Sequence, residues 1–81
     1  MRLFYTDRFR RSYAEAPADI QGRCDKQLAL LVESLRHPSL RAKKYDEARN
    51  IWQARVSRDW RLYFMIERDV YFLLDIMPHP K

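Results

Sequence analysis

The chain has 81 residues, 47% of them hydrophobic and 14% aromatic, so it is expected to form one small domain over residues 1–81 with a true core, and disorder is excluded. Its single cysteine, Cys24, permits neither an internal disulfide nor a multi-cysteine metal site, and no apolar run reaches membrane length. A net charge of +5 on so short a chain favours an acidic or polyanionic partner, for a soluble protein expected in the cytoplasm.

Arg2 to Tyr5 reads as a first strand, closed by Thr6 or Asp7, either of which can cap a following helix. Phe9, Tyr13 and Ala16 share one face of that helix, and Pro17 breaks it while suiting the first turn of a second. Along the second helix Ile20, Cys24, Gln27, Leu28, Leu31 and Leu35 recur at spacings of three and four, a stripe interrupted only by Gln27, with His37-Pro38 as the expected end. The next stretch, HPSLRAKKYDEARN, is rich in cations and is expected either to be a loop or to carry a short strand around Ala42 to Tyr45.

From Asn50 to Met77 the period changes to two, which predicts three strands in an antiparallel meander. Trp52, Ala54 and Val56, then Trp60, Leu62, Phe64 and Ile66, then Val70, Phe72, Leu74 and Ile76 are expected to face the core. With turns at Ser57-Arg58-Asp59 and Glu67-Arg68-Asp69, odd residues pair with odd ones, so Arg55 falls opposite Arg61 and Arg61 opposite Asp75 on the other face. Helices first and strands last argue for an α+β fold, β-α-α-β-β-β, with a helical hairpin on one sheet face and the first strand either at an edge or beside the last.

Two groups of residues carry chemistry. Arg41, Lys43 and Lys44, with Arg55, Arg58 and Arg61, could grip phosphates, with Tyr45, Tyr63, Tyr71 or the edge of Trp60 as surfaces for bases; a solvated charged face is the alternative. The second group is Arg55, Arg61 and Asp75 with His79. Cleavage of RNA by its own 2′-hydroxyl needs a proton acceptor, a proton donor and fixed positive charge. His79 could serve as acid or base, the arginines could supply charge, and Asp59 or Asp75 could orient them without a metal or other cofactor. An ordinary cross-strand ion pair is the alternative. Neither His79 nor Arg61 belongs to the core set, so removing either side chain is expected to leave stability unchanged.

The order of these elements, the Lys/Arg stretch and the segment IWQARVSRDWRLYFMI resemble the RelE/ParE superfamily of toxins from bacterial toxin-antitoxin modules. The resemblance spans nearly the whole chain and favours the RelE/YafQ-like branch, whose members cleave mRNA on the ribosome and are neutralised by a cognate antitoxin. It implies Lys43 and Lys44 in the RNA-binding loop, Arg55 and Arg61 as site arginines, Asp59 and Trp60 as the Asp-Trp pair of YafQ-like members, and His79 as their C-terminal histidine. Tyr71 is the candidate for the site tyrosine of RelE. The chain departs from YafQ-like members in carrying Arg55 where they have a further histidine. The alternatives implied by the same superfamily are a ParE-like inhibitor of DNA gyrase and a non-catalytic RNA- or antitoxin-binding form.

Overall fold

The computed structural model describes residues 1–79, in the order β1 (Arg2–Tyr5), α1 (Asp7–Glu15), α2 (Ala18–Glu33), a 3-10 turn (Pro38–Leu40), β2 (Lys43–Asp46), β3 (Ile51–Arg55), β4 (Trp60–Glu67) and β5 (Val70–Pro78). The five strands form one mixed sheet in the order β1-β5-β4-β3-β2, in which only β1 and β5 run parallel. This is the expected α+β architecture with one strand more than the minimal count, because the stretch near Ala42 to Tyr45 becomes β2. β1 takes the place beside β5, where its residues pair with Val70 to Leu73. None of the helices is long and apolar enough to cross a membrane, among the described residues.

Thr6 is the cap of α1. Its hydroxyl oxygen accepts from the Phe9 N–H at 3.2 Å, and the hydroxyl donates to the Leu73 carbonyl at 2.6 Å, so the cap also fastens α1 to β5. Pro17 precedes α2, where its missing N–H costs nothing, and Ile20, Cys24, Leu28 and Leu31 bury the expected stripe. The helix stops at Glu33, before His37-Pro38, because Ser34 turns extended while its N–H still bonds the Leu30 carbonyl. Gln27 interrupts the stripe for a reason: its buried side-chain amide donates to the carbonyls of Ser39 at 3.0 Å and Arg55 at 2.6 Å, tying α2 to the end of β3.

Both helices pack on one side of the sheet, over Ala54, Val56, Leu62 and Phe64. The expected faces hold for β3 and β4. They fail on the first part of β5, where Tyr71 and Leu73 enter the core while Val70, Phe72 and Leu74 are only half-buried, and hold again at Ile76, which is buried as expected. Two local events account for this. The second hairpin closes on Arg68 and Asp69 alone, since Glu67 pairs with Val70, and a two-residue loop puts even residues opposite odd ones. A bulge at Leu74 then shifts the register, so that Phe64 faces Leu73 but Tyr63 faces Asp75. Arg61 therefore stands opposite Met77, and the expected Arg61–Asp75 pair does not form. Asp75 instead accepts from the Arg8 Nε at 3.0 Å and from the Ile76 N–H at 2.8 Å.

Candidate functional site

The sheet face left open by the helices carries a cleft of about 210 Å³ lined by Arg41, Lys43, Gln53, Ala54, Arg55, Arg61 and His79. Its floor comes from β3, one wall from β2 and the chain before it, and the other from β4 and the end of β5. Lys43 pairs with Gln53 and Arg55 with Arg61, so the side-chain alternation of the sheet sends Lys43, Gln53, Arg55 and Arg61 to the same side. Arg41 reaches the cleft from a left-handed backbone, φ 47°, a conformation that costs an ordinary L-residue about 1–2 kcal/mol.

Two arginines directly opposite one another destabilise a sheet unless something answers their charge. For Arg61 the answer is internal: its Nη1 donates to the carbonyls of Ser57 at 2.8 Å, Trp60 at 3.0 Å and Arg58 at 3.2 Å. Arg61 is thus a brace of the β3–β4 turn, contrary to the expectation that its removal leaves stability unchanged: without it the Ser57 and Arg58 carbonyls would lose this donor, while the Trp60 carbonyl keeps the Val56 and Ser57 N–H groups. The side chains of Arg41, Lys43 and Arg55 make no hydrogen bond or ion pair with the described residues. Among the described residues no carboxylate lines the cleft, which makes it a ready place for an anion.

His79 lies at the cleft one residue past the end of β5. Its backbone N–H donates to the Asp59 carbonyl at 2.7 Å, so the β3–β4 turn, braced by Arg61, also holds the tail. Pro80 and Lys81, the rest of the MPHPK tail, lie outside the described residues. Gln53 is a contributor that composition and spacing did not mark. It is buried, and its Nε2 donates to the Tyr63 hydroxyl at 3.2 Å, which keeps the cleft floor polar and fixed.

Other expected site residues sit elsewhere. Lys44 points to the opposite side from Lys43, over the Trp52 ring at 5.1 Å, and pairs with Glu47 at 3.7 Å. Asp59 and Trp60 border a separate groove on the helix side together with Asp19 and Arg23, so in Asp59 it is the backbone carbonyl, not the carboxylate, that bears on the cleft. Arg58 lines that groove and a neighbouring one against α2. Tyr71 is 3% exposed and packs edge-on against Phe64 in the core, so it cannot reach the open face. Burial also raises its hydroxyl pKa above the ordinary phenol value. Tyr63 is buried as well, and of the three tyrosines only Tyr45 offers an exposed ring, set edge-on against Tyr63.

The remaining titratable candidates are structural. Cys24 is fully buried, and burial pushes its thiol up to about 12, which removes it as a nucleophile. A larger groove of about 390 Å³, lined by Tyr5, Phe9, Arg10, Tyr13 and Asp25, is closed at one end by the Tyr13 hydroxyl donating to Asp25 at 2.7 Å. That bond, with desolvation, pushes the Tyr13 hydroxyl up to about 12 and keeps it a phenol. Among the described residues no group of three or more His, Cys, Asp or Glu is placed to hold a metal ion.

Neither a protein-family model nor a curated protein sequence matches the chain. Solved structures do. Escherichia coli YafQ superposes with a TM-score of 0.80 at 13% identity, over 95% of this chain and 91% of YafQ. A YoeB/ParE toxin from Agrobacterium tumefaciens gives a TM-score of 0.80 at 10% identity, over 99% of this chain and 100% of its own. The fold is that of the RelE/ParE toxins. A RelB-RelE antitoxin-toxin complex from Methanococcus jannaschii matches with a TM-score of 0.75 at 16% identity, over 93% of this chain and 88% of the other. On this RelE/ParE scaffold the cleft occupies the open face of the sheet, with its histidine delivered by the last strand and its lysine by the β2 edge.

Proposed function

We propose that this protein is the toxin of a toxin-antitoxin module and that it cleaves mRNA on the ribosome by attack of RNA's own 2′-hydroxyl, without a metal. The observation that carries the proposal is the cleft itself: Arg41, Lys43, Arg55 and Arg61 line it together with the His79 imidazole, and no carboxylate is among its described lining residues. A phosphodiester in transit to a phosphorane gains negative charge, and fixed cations in a restricted site stabilise that charge more than the ground state.

In this scheme His79 takes the proton of the 2′-hydroxyl as its oxygen bonds to the adjacent phosphorus. The bond from phosphorus to the 5′-oxygen breaks, and the departing oxygen is protonated from solvent, leaving a 2′,3′-cyclic phosphate. Arg55, whose guanidinium has no partner among the described residues, is the principal contact to the phosphate, with Lys43 and Arg41 beside it. Arg61 contributes from the wall while bracing the turn, and the Asp59 carbonyl of that turn holds the His79 backbone in place. Donors of this kind, rich in Lys and Arg, suit phosphate and do not suit a metal. The RelE chain from Methanococcus jannaschii was solved with its antitoxin, which supports a protein antitoxin as the partner of this chain.

One observation favours a second reading, a ParE-like toxin that acts on DNA gyrase without hydrolysis. Arg61 is already engaged by the turn and the Asp59 carboxylate lies outside the cleft, so the proton-handling set is reduced to His79. Brief induction in cells separates the two. Transcripts cut to 2′,3′-cyclic ends, lost in His79→Ala, are the expected result; intact transcripts with a DNA-damage response would overturn the nuclease and favour gyrase.

A further inference from the structure

We propose that the groove between α2 and the β3–β4 turn is a second phosphodiester site, which holds the RNA backbone as it leaves the cleft. The inference rests on the nuclease reading above and extends it to a path for the strand. The groove measures about 340 Å³ and is lined by Arg23, Lys26, Ser39, Arg55 and Arg58 among others, again with no carboxylate among the described residues. Arg55 borders both spaces, so they meet along one side chain. The cleft is smaller than the roughly 300–1,000 Å³ of ordinary ligand pockets, so a polymer seated at its phosphate must continue over the surface. Across Arg55, the next cations are Arg58, Arg23 and Lys26.

The placement of these cations is built into the fold. Arg23 and Lys26 are three residues apart on α2 and share a helical face. Gln27, 7% exposed, donates from that same helix to the carbonyls of Ser39 and Arg55, which pins the basic face of α2 beside the strand end that carries Arg55. Elsewhere on the surface Arg2 pairs with Asp69, Arg8 with Asp75, Lys44 with Glu47 and Arg49 with Asp46. Arg23, Lys26 and Arg58 have no ion-pair partner among the described residues. On their other side Arg23 and Arg58 also line the neighbouring groove with Asp19 and Asp59, whose carboxylates bound the basic track there. An unpaired run of like charge, joined to an anion-ready cleft and ended by carboxylates, fits the backbone of a single strand.

The test uses the full chain and 2′-O-methyl RNA oligonucleotides, which lack the attacking hydroxyl and so report binding alone. A short strand of about 3 nucleotides and a long one of about 10 bracket the step from the cleft to the groove. In the double variant Arg23→Gln, Lys26→Gln, both changes lie on the exposed side of α2 and Gln is a good helix former, so the fold is kept, as circular dichroism checks. The variant is expected to bind the short strand as the wild type does and the long strand more weakly, with the slope of log affinity against log salt reduced by about 1.4, the amount for two lost single-strand phosphate contacts. Arg55→Gln is expected to weaken both lengths. An unchanged long-strand slope in the double variant, with a wild type that binds, overturns the second site alone, as does an equal loss for the short strand. A wild type that binds neither strand also overturns the second site, while the nuclease reading is decided separately by the transcript ends in cells.

Discussion

The two hairpins of the meander carry the same dipeptide at their tips, Arg58-Asp59 in one and Arg68-Asp69 in the other, and they are put to different uses. In each, the aspartate carbonyl accepts an N–H from near an end of the described chain: Asp69 from Arg2 at 2.8 Å, Asp59 from His79 at 2.7 Å. The second hairpin is tight, a two-residue loop with Arg68 in the left-handed region at φ 56°, and the Asp69 carboxylate adds an ion pair to Arg2. The first is wide, with both Val56 and Ser57 N–H groups on the Trp60 carbonyl and Arg61 spanning three turn carbonyls. A tight loop needs no brace and leaves no room; a wide one needs a brace, and here the brace also forms a cleft wall. The same local sequence thus serves as a clasp for the N-terminal strand at one end of the sheet and as the frame of a candidate site at the other.

That contrast can be broken by substitution, beginning where the effect is greatest. His79→Ala is expected to lower RNA cleavage by roughly 10²–10⁴-fold, the usual contribution of a positioned acid or base, with thermal unfolding unchanged. Single-turnover cleavage assays check this, and undiminished activity would remove His79 from the chemistry. Leu73→Ala should cost about 2–5 kcal/mol in urea unfolding because Leu73 is fully buried, whereas Leu74→Ala, at the half-buried bulge, should cost clearly less. The reverse order would mean that the bulge is misplaced. Arg61→Ala should destabilise by about 1–3 kcal/mol, since the Ser57 and Arg58 carbonyls lose this donor, while Asp59→Asn, which keeps the carbonyl, should leave both stability and cleavage near those of the wild type. In the tight hairpin the effect is smallest: Arg68→Gly should stabilise by up to about 1 kcal/mol, read as a rise in melting temperature, because glycine takes a positive φ without strain.

Much of this was legible in the chain. Helix stripes and period-two runs located both helices, the first strand, the three strands of the meander and the core faces of β3 and β4, and the Arg55–Arg61 pairing followed from parity together with the expected turn at Ser57-Arg58-Asp59. The last strand was not, because alternation continues unbroken through YFLLDIM while a two-residue loop and a bulge each shift the register by one. The expected site was partly assembled. Arg41, Lys43, Arg55, Arg61 and His79 do lie together, but Lys44, Arg58, Trp60 and the Asp59 carboxylate do not. Adjacent residues on a strand point to opposite faces, so a Lys43-Lys44 pair could never supply two ligands to one side.

The sequence by itself determined what is local: the two helices, the first strand and the strands of the meander, the cap and the proline that bound α1, and an excess of positive charge around the meander. Only the tertiary structure decided what depends on register and on distant partners. It turned Asp75 from Arg61 to Arg8, took Tyr71 into the core, made Gln27 a clamp between α2 and β3, and anchored His79 to a turn 20 residues before it. Periodicity carries the face of an element but not its offset against a neighbour, and a single bulged residue changes that offset without altering the pattern that would reveal it.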